Sequence, residues 1–246
     1  MKPNILFFDI ETKPILSYTW GLYEQNVISV KEHACLLCFA YKWSGGKIKV
    51  KGLVDCKNKK SDRELIKDIW DLFDKADIIV AQNGDEFDFK RTNARFSYYK
   101  FPPPSPYKTI DTLKQARKHF GFPSNRLDDL GEYLSLGRKI KHEGIEMWLG
   151  CMAGEKKWWD KMKKYNKQDV KLLEKVYLRI RPYIKNPPNL SVFLGLVCPK
   201  CGSKDLQLRG MAHTQGGTYQ RFYCKNCFGW GQSPYREPGQ KIIKSI

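Results

Sequence analysis

The chain has 246 residues, 41% of them hydrophobic, and its 44 Lys plus Arg against 26 Asp plus Glu leave a formal charge of +18. That length and apolar content suit one full domain with a small appendage, and they exclude collagen-like, disordered and disulfide-scaffold chains. The longest apolar runs, Ala34 to Tyr41 and Ser191 to Cys198, fall far short of the ~18–20 residues of a membrane span, and no signal-peptide apolar segment opens the sequence, so a soluble, cytoplasmic protein with no membrane partner is expected.

In chain order, Asn4 to Ile10 reads as a buried strand, and Ala34 to Trp43 and Lys47 to Val54 as two more, joined by a turn at Trp43-Ser44-Gly45-Gly46. A helix is predicted over Ser61 to Ala76, with Ser61 as N-cap, Glu64 completing a capping box, and apolar residues at Leu65, Ile66, Ile69, Leu72 and Phe73. Ile78 to Ala81 is the next strand, Phe87 to Tyr99 a helix, Thr109 to Asp111 a short strand and Leu127 to Leu134 a short helix. A long helix runs from about Glu155 to Arg181 and is interrupted by Pro182. Three strands, then a helix, a strand and further helices predict a mixed α/β sheet flanked by helices. Lys185-Asn186-Pro187-Pro188-Asn189 lacks the backbone donors a helix needs and marks a domain boundary, separating residues 1–185 from a small domain over 190–235. Residues 186–246 carry 8 Lys/Arg against 2 Asp/Glu, so basic charge is present on both sides of the boundary and a polyanionic partner, nucleic acid above all, is expected.

Three segments carry the chemistry. In Phe8-Asp9-Ile10-Glu11-Thr12 the two-residue repeat of a strand sends Asp9 and Glu11 to one side. Two carboxylates about 5 Å apart at an effective dielectric near 20 repel by roughly 3 kcal/mol, enough to raise one pKa or to demand a cation. Asn83-Gly84-Asp85-Glu86-Phe87-Asp88 follows a strand at a strand-to-helix turn, where Gly84 permits a tight backbone and open α/β sheets bind ligands. Tyr165-Asn166-Lys167-Gln168-Asp169 places Tyr165 and Asp169 one helical turn apart on one face. The histidines His33, His119, His142 and His213 have no metal-ligand spacing and read as surface or core residues. Lys90 and Arg91 suit either a solvated helix face or contacts to a phosphate backbone.

Together the three segments resemble the exonuclease motifs of the ribonuclease H-like DEDD superfamily, the group that includes the proofreading domains of DNA polymerases, over roughly residues 1–185. FDIET is similar to the first motif, mapping onto Asp9 and Glu11; N-G-x-x-F-D to the second, mapping onto Asp88; and Y-x-x-x-D to the third, mapping onto Tyr165 and Asp169. Tyr165 selects the tyrosine subgroup. Asp111-Thr112-Leu113 and Arg126-Leu127-Asp128-Asp129-Leu130 resemble less specific family segments, and Tyr18-Thr19-Trp20-Gly21-Leu22 resembles phage and bacterial members. The resemblance implies a 3′–5′ exonuclease in which Asp9, Glu11, Asp88 and Asp169 hold two catalytic Mg²⁺ or Mn²⁺ ions, a hard-oxygen donor set suited to either. Tyr165, with a reference pKa near 10, is implied to orient the attacking water rather than to act as a base.

Cys198-Pro199-Lys200-Cys201 and Cys224-Lys225-Asn226-Cys227 have the spacing of a four-thiolate zinc ribbon holding one structural Zn²⁺. A segment this short needs a metal to replace a missing core, and such ribbons contact nucleic acid, dock proteins or act structurally. Cys35, Cys38, Cys56 and Cys151 read as unpaired thiols, with Cys35 and Cys38 in the core, which fits a reducing compartment. The expected function is hydrolysis of phosphodiester bonds, with single-stranded DNA the favoured substrate and RNA open. The alternatives are a catalytically silent nucleic-acid-binding or adaptor protein and a structure-specific endonuclease. Trp20 and Tyr23 are expected in the core, with base stacking their other role.

Overall fold

The structure is a computed structural model that describes residues 3–21, 23, 26–214, 216–236 and 238; Leu22 therefore lies outside the described residues. Two compact units divide the chain, one over Asn4–Val176 and one from Tyr177 onward.

The first unit is built on a five-stranded mixed sheet in the order β5-β4-β1-β6-β7. Central strand β1 (Ile5–Thr12) pairs antiparallel with β4 (Leu36–Trp43) and parallel with β6 (Ile78–Ala81); β5 (Lys49–Gly52) and β7 (Lys108–Asp111) form the edges. The β4–β5 turn falls where the sequence places it, with Gly45 at φ +80° supplying a left-handed conformation that costs glycine little.

Alternation along β1 sorts the two faces. Leu6, Phe8 and Ile10 enter a core with Leu65, Ile66, Ile69 and Phe73 of α1 (Arg63–Lys75) and Phe89 and Phe96 of α2 (Asp88–Tyr98). Phe8 meets Phe73 edge-on at 5.0 Å, an orientation favoured by the ring quadrupoles. On the other face, Leu37 and Cys38 of β4 pack with Met147 and Cys151 of α5 (Ile145–Met152) and with Trp159, Met162 and Tyr165 of α6 (Lys156–Ile180). Gly150 is required here, because a Cβ would stand 1.9 Å from the Trp158 ring.

Several elements differ from their expected form. α1 starts after Asp62, and Glu64 accepts from the N–H groups of Lys57 and Asn58 instead of closing a capping box. Asp62 is buried and accepts from Leu36 N–H, Arg95 and Tyr99, so tertiary partners claim the carboxylate that local spacing offers to the helix. Helices α3 (Thr112–His119) and α5, and the hairpin β2 (Leu16–Tyr18) with β3 (Ser29–Glu32), are additional elements. Trp20 and Tyr23, expected in the core, are 87% and 82% exposed. α4 (Leu127–Tyr133) and α6 lie where expected, and Pro182 sits in a 3-10 turn after α6.

The second unit contains the short helix α7 (Ser191–Leu194) and a three-stranded antiparallel sheet in the order β10-β9-β8: β8 (Leu206–Thr214), β9 (Gly217–Cys224) and β10 (Trp230–Arg236). Among the described residues, no helix is long and apolar enough to cross a membrane.

Candidate active site and metal-binding groups

The period-two alternation of β1 aims Asp9 and Glu11 at the face that α6 covers, and the spacing of α6 brings Asp169 back to them. One carboxylate oxygen each from Asp9, Glu11 and Asp169 lies within 4.8 Å of the others. Asp88 is not part of that group. It is buried at the start of α2, and its Oδ1 accepts the N–H of Ile10 at 3.1 Å. β6 pairs with β1 only as far as Phe7, so Asp88 takes over an N–H on the edge that β6 leaves. In the turn before it, the left-handed residue is Asn83, at φ +59°. Gly84 is needed for a different reason: a Cβ there would lie 2.5 Å from that of Ala81.

The carboxylates share an unfavourable setting. Burial first, and then the charges of Asp88, Asp169 and Glu11, hold Asp9 well above the usual carboxylate range. Burial and Asp169 push Glu11 up to about 8, and burial lifts Asp88 to about 7 against the Ile10 hydrogen bond. Asp169 is raised as well, again by burial, with Lys139 opposing. Its Oδ2 pairs with Lys139 Nζ at 2.6 Å, while its Oδ1 is buried with no hydrogen-bond partner. A buried acceptor left unpaired costs roughly 1–3 kcal/mol. That atom, within a cluster of hard oxygen donors, fits a divalent cation. The protons that the raised groups bind compete with such an ion. Adding Mg²⁺ should therefore raise the melting temperature at pH 8 and have little effect at pH 5; an equal rise at both would count against the carboxylate site.

Two residues at the site carried no sequence signal of their own. Asn166, fully buried on α6, donates from Nδ2 to Asp9 Oδ2 at 2.5 Å, and its Oδ1 accepts from the Cys38 thiol at 3.5 Å. Lys139 sits in the loop before α5, with its N–H held by Asp128 Oδ1 at 2.6 Å, and Gln168 binds the neighbouring Arg138 carbonyl at 2.8 Å. This gives Asp128 of the RLDDL segment a definite task. Burial disfavours the Lys139 charge, but Asp169 and Tyr165 keep its pKa above the ordinary lysine value. Lys139 Nζ also lies 4.9 Å from the centroid of the Tyr165 ring.

Tyr165 is buried, and burial and Asp169 raise its pKa, which keeps the phenol protonated at neutral pH. His142, read as a surface or core histidine, stacks edge-on against Tyr165 at 5.0 Å and Trp148 at 5.1 Å. It helps to line a cavity of about 500 Å³ with Thr12, Lys13, Ile15, Arg91 and Trp148. Of the two cations after Asp88, Arg91 therefore reaches a cleft, while Lys90 pairs with Glu86 on the exposed side of α2. Asp111, from the DTL segment, caps α3 through Leu113 and Lys114 N–H and also accepts from Asn83 N–H at 2.9 Å, which fixes the turn leading to Asp88.

In the second unit the sulfurs of Cys198, Cys201, Cys224 and Cys227 lie within 4.8 Å of one another. The Cys198–Cys227 and Cys201–Cys224 separations are 3.7 and 3.6 Å, against about 3.8 Å for a tetrahedron with metal–sulfur bonds of ~2.3 Å. The knuckles repeat one backbone design. Gly202 and Phe228, each following a second cysteine, are left-handed, and their N–H groups bind the Cys198 and Cys224 carbonyls at 2.9 Å. The hydrogen bond between Cys227 and Cys198 draws the Cys198 thiol below its usual pKa and raises that of Cys227. Among the described residues, the carboxylate and cysteine groups are the two that could hold a metal ion.

A mixed sheet with β1 at its centre, helices on both faces and acidic residues converging from β1 and α6 defines a ribonuclease H-like fold. The family model of the RNase H superfamily matches residues 6–181, and the chain belongs to that superfamily. Among solved structures, the chain is similar to the family B DNA polymerase of the hyperthermophilic archaeon Pyrobaculum calidifontis, at 15% identity and a TM-score of 0.51, over 74% of this chain and 25% of the polymerase. The chain thus spans a quarter of that protein's length, and the likeness is one of fold. No curated protein matches the sequence.

Proposed function

We propose that the protein is a metal-dependent 3′–5′ exonuclease that removes nucleotides from nucleic acid with single-stranded 3′ ends, DNA in preference to RNA. Its exonuclease domain would occupy residues 1–185 and a zinc ribbon residues 190–235. Membership of the RNase H superfamily supports a nuclease. Two observations carry the reading together: carboxylate oxygens of Asp9, Glu11 and Asp169 converge within 4.8 Å, and Asp169 has a buried Oδ1 with no hydrogen-bond partner. Asp9, Glu11, Asp88 and Asp169 would hold two Mg²⁺ or Mn²⁺ ions, which when bound would activate water and neutralise charge on the leaving oxygen.

The chain's own residues supply the remaining functions. Asn166 fixes the Asp9 carboxylate through the 2.5 Å bond to Oδ2. The protonated Tyr165 phenol can donate a hydrogen bond that orients the attacking water, and it is a poor base. Lys139 places a cation beside Asp169, where it can screen the carboxylate charge that an incoming phosphate meets. Tyr165→Phe should accordingly lower kcat by about 10–100-fold and leave the metal requirement nearly unchanged, whereas Asp169→Ala should lose activity or require far more Mn²⁺. A metal titration of both variants on one labelled strand separates them; equal inactivity would remove the purely orienting role of the phenol.

The test of the function is digestion of end-labelled single-stranded DNA, blunt duplex DNA and RNA, beside circular single-stranded DNA. Stepwise shortening of the linear single strand with Mg²⁺ or Mn²⁺, with the circle intact, is the expected result. Cleavage of the circle would identify an endonuclease, and failure to cleave any substrate a binding or adaptor protein.

A further inference from the structure

The sheet of the second unit has two unlike faces. On one, Leu206 packs against the cysteine cluster, and Cys224 pairs with it across β8 and β9. On the other, the register aligns Gln207, Tyr223 and Trp230 in one row and Arg221 with Gln232 in the next. This second face does not serve the metal-binding core, yet it carries Tyr223, Trp230 and Arg221. Tyr223 and Trp230 stand 5.1 Å apart between centroids. Arg209 lies over the Tyr223 ring at 5.7 Å and Arg221 over the Trp230 ring at 5.0 Å. Trp230 nevertheless remains 46% exposed, and both arginines face solvent.

A groove of about 710 Å³ adjoins this face, where Arg221, Trp230 and Gln232 meet Lys185 and Lys200 of the segment before the sheet, with no carboxylate among its lining residues. From Tyr177 to Arg236 the sequence has 9 Lys/Arg and one acid, Asp205, and Asp205 pairs with Lys225 at 3.9 Å. Alternating guanidinium groups and half-open aromatic rings beside a cationic groove match the chemistry of a single strand: phosphates meet the cations and unpaired bases stack on the rings. A duplex conceals its base faces, and an acidic peptide would use the charges without the rings.

We propose that the β8–β10 face centred on Trp230 and Arg221 binds single-stranded nucleic acid. The proposal deepens the exonuclease reading by naming residues outside the carboxylate cluster that hold the same class of substrate.

The test uses the full zinc-loaded chain with Asp9→Asn to prevent cleavage, and fluorescence anisotropy of labelled dT20 and rU20. Trp230→Ala should weaken dT20 binding by about fivefold or more, the scale of one lost base stack. Arg209→Gln and Arg221→Gln leave both rings in place, and each should weaken binding severalfold and reduce the salt slope by about one. Zinc content and circular dichroism establish that the variants keep the ribbon. Parent-like affinity in all three variants overturns the proposal, as does equal competition by poly-glutamate and unlabelled dT20. The rU20 arm shows which sugar is preferred. Hydrolysis is read separately, on the parent with Asp9 intact, as Mg²⁺- or Mn²⁺-dependent shortening of labelled linear dT20. If the parent shortens no strand while the three variants still lose affinity, the exonuclease reading fails and the binding face stands.

Discussion

Asp9→Asn should abolish phosphodiester hydrolysis while leaving the metal-free protein as stable as the parent or more so. Asp9 is a ligand candidate that also destabilises the empty site: buried among Asp88, Asp169 and Glu11, its carboxyl is held well above the ordinary range. A raised carboxyl pKa means that the folded state binds its proton more tightly than the unfolded state does, so stability present at low pH is lost as pH rises. The amide removes that charge, and its side-chain oxygen can still accept the hydrogen bond from Asn166 Nδ2. Glu11→Gln makes the sign measurable, because Glu11 rises from 4.5 to about 8. Its stabilisation of the metal-free protein should be absent below pH 4.5, grow through that interval and reach about 1–3 kcal/mol above pH 8. Activity should fall by about 10³-fold or more in either variant, the scale on which removing one charge-stabilising group from an active site operates. Chemical denaturation from pH 4.5 to 8.5, with hydrolysis measured in parallel, tests both halves. Lower stability of both variants at pH 8 without metal would show that the carboxylates are structural, and full activity would remove them from the chemistry.

What the sequence disclosed follows the range of its local periodicities. Asp9 and Glu11 share a face because a strand repeats every two residues, and Tyr165 and Asp169 because a helix returns every 3.6; both relations hold in the structure. Asn166 lies one residue from Tyr165, where nothing local distinguishes a buried anchor from an exposed amide. Its role becomes visible only when β1 supplies Asp9. Lys139 is less legible still, since its loop has no periodic pattern and is placed by Asp128 and Gln168. A half-buried lysine calls for a paired anion, and that anion, Asp169, lies 30 residues further along the chain. Helix α3 did leave a readable cue, the Asp111 N-cap ahead of Thr112-Leu113, which the family resemblance drew attention to without identifying the helix. Trp20 and Tyr23 misled for an opposite reason: aromatic residues are usually buried, but here they belong to the exposed β2–β3 region. Ser61 and Glu64 had capping-box spacing, yet Asp62 and the Lys57–Asn58 turn redirected both ends of the pattern.

Cys198→Ser should release the metal of the cysteine cluster and unfold the strands that depend on it, leaving residues 4–176 folded. The proposed zinc would sit in a small cluster, in which Leu206 and Cys201 pack against the buried Cys198, Cys224 and Cys227. Structural zinc contributes about 10–16 kcal/mol of apparent binding free energy in zinc-finger peptides, more than a three-stranded sheet of this size can supply by burial. Parent protein should contain one zinc per chain, and the variant substantially less. Hydrogen exchange should lose protection over β8, β9 and β10 and keep it over β1, β4 and α6. Gly202→Ala provides a graded comparison: it places a Cβ at φ +74° and 3.0 Å from Leu194 Cδ1, a strain of about 1–2 kcal/mol with all four sulfurs retained. It should accelerate zinc loss to a chelator without emptying the site at rest. If Cys198→Ser keeps full zinc and full protection, the four-thiolate assignment fails; if it loses zinc but keeps protection, the metal is bound without being the element that folds the unit.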